Sequence, residues 1–199
     1  VLRTAIILHK TFALQKSNKM EKQTTWSLDP AHSEITFKVK HLMIANVKGE
    51  FRKFDVKVQA NDESFNQSLI SASIDVSSID TNNADRDNHL KSADFFDAEK
   101  FPAIEFVSSS FSQLDEENAK LTGNLTIKGV TREVVLEVET GGISKDPWGQ
   151  IKAGFTVSGK INRSDFGLNW NAALETGGVL VSEEVKIQAE IQLVKKTDA

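Results

Sequence analysis

The run Leu121-Thr122-Gly123-Asn124-Leu125-Thr126-Ile127-Lys128-Gly129-Val130-Thr131-Arg132-Glu133-Val134-Val135-Leu136-Glu137-Val138-Glu139 decides the fold class. Leu121, Gly123, Leu125 and Ile127 alternate with Thr122, Asn124 and Thr126. Val134, Leu136 and Val138 alternate with Val135, Glu137 and Glu139. A period of two turns one face of an extended chain to an apolar interior and the other to water. Lys128-Gly129-Val130 supplies turn chemistry between the two halves, so the stretch reads as a β-hairpin.

The same period continues in both directions. Upstream, Ile35, Phe37 and Val39 share one parity, as do Ile70, Ala72, Ile74 and Val76, and a shorter strand runs from Ile104 and Phe106 to about Phe111. Downstream, Ile151, Ala153, Phe155, Val157 and Ile161 form one set, and Val185, Ile187, Ala189, Ile191 and Leu193 another. Between Val47 and Val58 the parity changes: Val47, Gly49 and Phe51 are odd, while Phe54, Val56 and Val58 are even. A β-bulge at Arg52–Lys53 would restore the inward face and bend the strand. Eight strands result, at 33–44, 47–60, 68–77, 103–112, 119–128, 131–140, 149–162 and 183–195. The Gly141-Gly142 to Asp146-Pro147 stretch and Gly177-Gly178 read as turns. Only Ala84 to Ser92 has helical character, with acids early, Lys91 late and Asn82 or Asn83 as cap. A further turn is expected over Asp97-Ala98-Glu99-Lys100, stopped before Pro102. Apart from this segment no helical pattern separates the strands, which argues against a parallel βαβ architecture.

The expected fold is therefore all-β: eight antiparallel strands with one short helical insertion near 84–100. Such a sheet covers its apolar face as a sandwich or as a closed barrel. A barrel of this size is either packed solid or holds one small ligand. Strands of about ten residues run ~33 Å, which suits a long thin ligand.

Composition narrows the chemistry. The chain has 199 residues, 39% apolar and 26% charged, enough for one domain with a real core. Its net charge of -4 argues against a nucleic-acid partner. The absence of Cys removes disulfides, thiolate metal sites and cysteine nucleophiles. Tyr is absent while Phe occurs 12 times, so the aromatic content is almost free of hydroxyls. No run approaches the ~20 apolar residues of a transmembrane helix. Residues 1–22 read as an N-terminal extension and 23–196 as a single domain. The short patch Ala5-Ile6-Ile7-Leu8 is cut off by His9 and Lys10, too brief for a secretory signal, which favours a cytoplasmic location.

Several residues invite chemistry, each with a plainer alternative. His41 and His89 with nearby Asp residues are candidate metal ligands of a metal-dependent enzyme, although no HExxH-type spacing occurs; local hydrogen bonding is the alternative, above all for His32 in the Asp29-Pro30-Ala31-His32-Ser33 turn. Asp85-Arg86-Asp87 with Asp94 offers a base and an anion clamp, or an ion-pair knot that holds a loop. Ser77-Ser78 and Ser108-Ser109-Ser110 lie in no nucleophile elbow, and the glycine pairs lack a phosphate-loop context. No catalytic motif is found, and no catalytic residue, metal ligand set or required cofactor is assigned. The inward Phe residues fit either a packed core or a cavity wall.

Beyond periodicity, the chain resembles the YceI-like polyisoprenoid-binding proteins over about Thr24 to Lys195. The resemblance rests on Trp26-Ser27-Leu28-Asp29-Pro30-Ala31-His32-Ser33 with Ile35, Phe37, Val39 and His41, and on Val47-Lys48-Gly49-Glu50-Phe51 with Phe54. Its most specific part is Ile79-Asp80-Thr81, Arg86 to Asp97, and Phe101-Pro102-Ala103-Ile104-Glu105-Phe106. Leu125 to Thr131, Arg163-Ser164-Asp165-Phe166-Gly167-Leu168 and Val185 to Leu193 complete it. It implies a bacterial, lipocalin-like barrel, often dimeric and in many members periplasmic. It also implies binding, carriage or storage of a polyisoprenoid of quinone or prenyl-phosphate type, or of a fatty-acid derivative. A homodimer with a long-chain lipid ligand is the expected partnership; a purely structural or partner-binding barrel remains the other reading.

On this basis the expected ligand-binding residues are Phe37, Val39, Phe51, Phe54, Ile74, Val76, Leu90, Phe95, Phe96, Ile104, Phe106, Leu125, Ile127, Leu136, Phe155, Val157, Phe166, Leu168 and Ile187. Phe106 and Phe155, mid-strand and inward, are expected to touch the tail of a bound chain. The helix 84–93 and the 164–180 loop are expected at the mouth.

Overall fold

The computed structural model describes residues 23–61, 63–173 and 178–196. The extension expected at 1–22 and Gly177 lie outside them. The described chain is an antiparallel meander closed into a barrel of eight staves, with one helix.

Three staves are interrupted. β1 (Thr24–Leu28) and β2 (Glu34–His41) form the first, β3 (Ala45–Phe51) and β4 (Phe54–Ala60) the second, β5 (Leu69–Asp75) and β6 (Ile79–Asp80) the third. β7 (Ala103–Gln113), β8 (Asn118–Ile127), β9 (Val130–Lys145), β10 (Ile151–Asn162) and β11 (Val181–Lys195) are continuous. Closure is made by β11, which pairs with β2 through Ala189↔Ile35 and Val185↔Val39, and with β1 through Trp26↔Lys195. The helix α1 (Ala84–Lys91) is capped by Asn83, whose Oδ1 accepts the Arg86 N–H at 2.9 Å.

The eight-strand reading holds as eight staves, with several corrections. β1 was not expected, because Thr24, Trp26 and Leu28 give only three alternating positions. The expected bulge at Arg52–Lys53 is a strand break: Phe51 pairs with Ile35 and Ile79, whereas Phe54 pairs with Ile74. The corner is pinned to the neighbouring break at 76–78, where the Arg52 N–H donates to the Ser78 carbonyl and the Lys53 N–H to Ser78 Oγ. With the 3-10 turn at 30–32, these breaks form one crease across three staves. True bulges occur elsewhere, at Ser109 in β7 and at Gly141 in β9. Gly141-Gly142 is thus strand interior and not a turn; the turn lies at Asp146–Gly149, held by Asp146 Oδ1 accepting from Trp148 N and Gln150 N. Lys128-Gly129 turns the β8–β9 hairpin as expected, both with positive φ.

Asp29 anchors the crease at the seam. Its carboxylate accepts from Lys152 Nζ at 2.7 Å, meets His32 Nδ1 at 3.1 Å and accepts the Ala31 N–H at 3.2 Å. His32 is therefore a local partner, as the plainer reading had it. The Lys152 hydrogen bond, above all, holds the Asp29 carboxyl below its ordinary value near 3.8. A depressed carboxyl stabilises the fold above its unfolded pKa and loses that contribution as pH falls through the folded value. Asp75, Asp80 and Asp115 are depressed in the same direction, chiefly by the Ser77 hydroxyl, the Asn82 N–H and the Glu117 N–H respectively. Melting temperature should therefore fall below about pH 4, and Asp29→Asn should make that acid limb shallower. Parallel melts of both proteins from pH 6 to pH 2.5 check this; identical slopes would remove Asp29 from the account.

Candidate functional site: a carbon-lined barrel cavity

The inward parity of every stave converges on one cavity of about 260 Å³. Its wall follows β11 from Val181 to Leu193, twelve residue steps, or roughly 40 Å along the strand. Strands in such barrels tilt by roughly 35–45°, so the space is long and narrow along the axis. Among the described residues, only Thr36 and Arg163 interrupt an otherwise apolar lining.

Sixteen of the nineteen expected residues line this cavity: Phe37, Val39, Phe51, Ile74, Leu90, Phe95, Phe96, Ile104, Phe106, Leu125, Ile127, Leu136, Phe155, Val157, Leu168 and Ile187. Phe54, Val76 and Phe166 stand away from the wall. Phe54 packs against the core beside the crease, Val76 is buried in the 76–78 turn, and Phe166 is buried in the 3-10 turn 163–166. Val76 and Phe166 lie past the strand ends, where alternation no longer fixes direction, whereas Phe54 shares the parity of the lining residues Val56 and Val58 but is the first residue of β4, at the crease.

The space exists partly because two glycines make room for rings. A Cβ on Gly49 would collide with the Phe37 ring, and one on Gly123 with the Phe106 ring. The outer atoms of both rings thus press against bare backbone.

One end is closed by an aromatic plug. Phe65, 5% exposed, enters from the β4–β5 loop; its ring lies 5.1 Å from Trp26 and 5.0 Å from Phe155. The sequence reading missed Phe65 because it belongs to no strand. The available signal was a lone aromatic within the polar run Glu63-Ser64-Phe65-Asn66-Gln67.

The opposite end brings the two expected mouth elements together. His89 of α1 stands edge-on to Trp170 at 4.8 Å and to Phe95 at 5.1 Å, and Phe95 lies 5.2 Å from Trp170. His89 Nε2 also meets Asp94 Oδ2 at 3.1 Å. His41 sits at the end of β2, paired with Val181. Among the described residues, no group of three or more His, Asp or Glu side chains is arranged to hold a metal.

The acidic cluster on α1 is not the expected ion-pair knot. Arg86 donates to Thr81 Oγ1 and to the Thr81 carbonyl, both at 2.7 Å, while Asp87 Oδ1 accepts from the Thr81 N–H and hydroxyl. Thr81, only 4% exposed, is the hub that ties the helix to β6.

Arg163 was not expected in the lining. It is 3% exposed, and its guanidinium donates to the carbonyls of Ser182 (3.0 Å), Leu168 (2.5 Å) and Trp170 (2.8 Å) and to Glu183 Oε1 (3.0 Å). Its charge is spent on holding the mouth loop against β11.

Comparison with known proteins agrees with this architecture. The YceI-like domain model matches residues 26–193. UPF0312 protein SAS2572 of Staphylococcus aureus is 45% identical over 170 residues, covering 85% of this chain and 96% of that protein. Among solved structures, the Campylobacter jejuni YCEI protein is 36% identical with a TM-score of 0.69, covering 85% of this chain and 97% of that one. Burkholderia cenocepacia BcnA is 26% identical with a TM-score of 0.70, covering 83% and 98%. A polyisoprenoid binding domain from Saccharophagus degradans shares the fold, with a TM-score of 0.64, 14% identity and coverage of 86% and 98%.

Proposed function

The chain belongs to the YceI-like domain family, and from that premise we propose that it binds one long-chain amphiphile along the barrel axis and carries or stores it. The observation that supports this is the cavity itself, long, narrow and lined almost wholly by carbon. Burying each CH₂ of a tail contributes ~0.8 kcal/mol, about fourfold in affinity, with no specific contact required. Polyisoprenoids and fatty-acid derivatives both suit such a space. The head group, of quinone, prenyl-phosphate or carboxyl type, stays at the mouth beside His89 and Trp170, because Arg163 is already engaged by protein carbonyls and Glu183. In this reading the protein is a binding module and performs no catalysis.

Native mass spectrometry of the protein purified from cells tests the reading, with organic extraction to identify what is released. One long-chain amphiphile per barrel is expected. Binding of added isoprenoid alcohols should strengthen steeply from ten to twenty carbons. A ligand-free protein whose affinity is flat with chain length would overturn the proposal.

A further inference from the structure

The outer wall beside the mouth carries a feature that the cavity does not need. Lys160, Lys186, Lys38 and Lys48 stand directly opposite one another across β10, β11, β2 and β3: Lys160 pairs with Lys186, Lys186 with Lys38, and Lys38 with Lys48. Lys40 follows two residues along. Like charges facing each other on adjacent strands are destabilising, and this row occurs in a chain of net charge -4. Glu184 answers Lys160 at 3.5 Å. Among the described residues no carboxylate pairs with Lys38, Lys40, Lys48 or Lys186.

Charge is also sorted along these strands. Reading β2 and β11 away from the mouth, the outward pairs are Lys38↔Lys186, Thr36↔Gln188 and Glu34↔Glu190. On β2 the outward face thus runs from positive near the mouth to negative beyond, while β11 carries Glu184 on the mouth side of Lys186, where it answers Lys160. The charge order of β2 favours turning its mouth end towards a negative surface.

Immediately beyond the positive half, the β2–β3 hairpin ends in Leu42-Met43-Ile44. Ile44 is 85% exposed and Met43 53%, and Val179 beside them is 40% exposed. Leu42 and Met43 both take positive φ, 52° and 59°, at a turn where Asn and Gly are the ordinary residues. The Leu42 N–H donates to the Leu180 carbonyl at 2.8 Å, which joins the tip to the segment before β11. Apolar side chains thus project from a convex tip with a basic shoulder behind them.

We propose that this hairpin tip and its lysine row form a docking face for an anionic phospholipid bilayer, with Met43 and Ile44 entering the interface and Lys38, Lys40, Lys48 and Lys186 lying among the head groups. Membrane-surface segments combine these two elements, apolar insertion and basic attraction. A convex apolar tip suits a deformable medium. A second copy seated on the same face would bring one lysine row against another. The proposal stands independently of what the cavity holds, although it places the mouth next to the bilayer.

The test uses the full chain and vesicles of 3:1 phosphatidylcholine to phosphatidylglycerol, with pure phosphatidylcholine as reference. The protein should sediment with the anionic vesicles and be released by 0.5 M salt. Lys38→Glu with Lys186→Glu should weaken binding at least tenfold, each lysine near an anionic surface being worth about 1 kcal/mol, or fivefold. Ile44→Asp should weaken it at every salt concentration at which the parent protein still binds. Lys120→Glu, on the opposite wall, should leave it unchanged. Residues 1–22 add basic groups, so these variants and not wild-type sedimentation carry the assignment. Unchanged melting curves would establish that all variants fold. Absence of anionic-vesicle binding would overturn the proposal, as would binding indifferent to the first two variants. An effect of Ile44→Asp confined to molar mass by light scattering would assign the tip to self-association instead.

Discussion

Replacing Arg163 by methionine is expected to lower stability by about 3–5 kcal/mol, since three carbonyls lose a donor at a cost of ~1–3 kcal/mol each. Methionine keeps much of the volume but none of the four hydrogen bonds. The carbonyls of Leu168, Trp170 and Ser182 then lose a donor where little water can replace it. Glu183, half-exposed, simply turns to solvent. For a domain of this size, the loss lowers the melting temperature by roughly 10 °C. Lysine should rescue less than half of it, since one ammonium cannot span carbonyls that a planar fork reaches together. Calorimetric melts of the three proteins check this, and an Arg163→Met melt within 2 °C of the parent would show that the loop is held by other means.

The largest effect on binding is expected from Phe155→Trp. Phe155 lines the cavity mid-strand and stands edge-on to Phe65 at 5.0 Å, just above the plug. The larger ring would extend into the cavity that Phe155 lines. If it displaces about three methylenes of a bound tail, the loss is ~2.4 kcal/mol, roughly 50-fold in affinity. Stability should hardly change, because the added atoms fill an existing void. In a solid core the same substitution would overpack and cost ~1–3 kcal/mol. Titration with a twenty-carbon isoprenoid alcohol, beside a melt of the same sample, separates the cases. Unchanged binding with a lowered melt would contradict a hollow barrel.

The parity of the strands carried most of the fold and most of the cavity wall. Phe37, Phe106, Phe155 and Ile187 sit mid-strand, where alternation dictates direction, and all face the cavity. Where alternation stops, legibility stops too. Val76 and Phe166 lie in 3-10 turns and Phe65 in a loop, so tertiary packing and not period sets their direction. A parity switch such as that at Arg52–Lys53 is the same in sequence for a bulge and for a break; only the partner strands, β2 and β6 on one side and β1 and β5 on the other, tell them apart. Gly141-Gly142 misled for a related reason, since glycine serves bulges and turns alike. Arg86 found Thr81 instead of the acids beside it because the buried hydroxyl and carbonyl of Thr81 had greater need of partners than solvated carboxylates did.

The closing seam has a consequence for biogenesis. Ile35 of the first stave waits for Ala189 of the last, 154 residues later. At roughly 5–20 residues per second of synthesis, that interval lasts about 8–30 s. By its end, seven staves present their apolar face and two unpaired edges to the surrounding medium. Long-range pairings of this kind also form slowly in the complete chain, because loop closure must precede any gain from contact. The nascent protein is thus a natural client for a chaperone that shields open sheets, and its most vulnerable moment ends only when β11 is free to join β2.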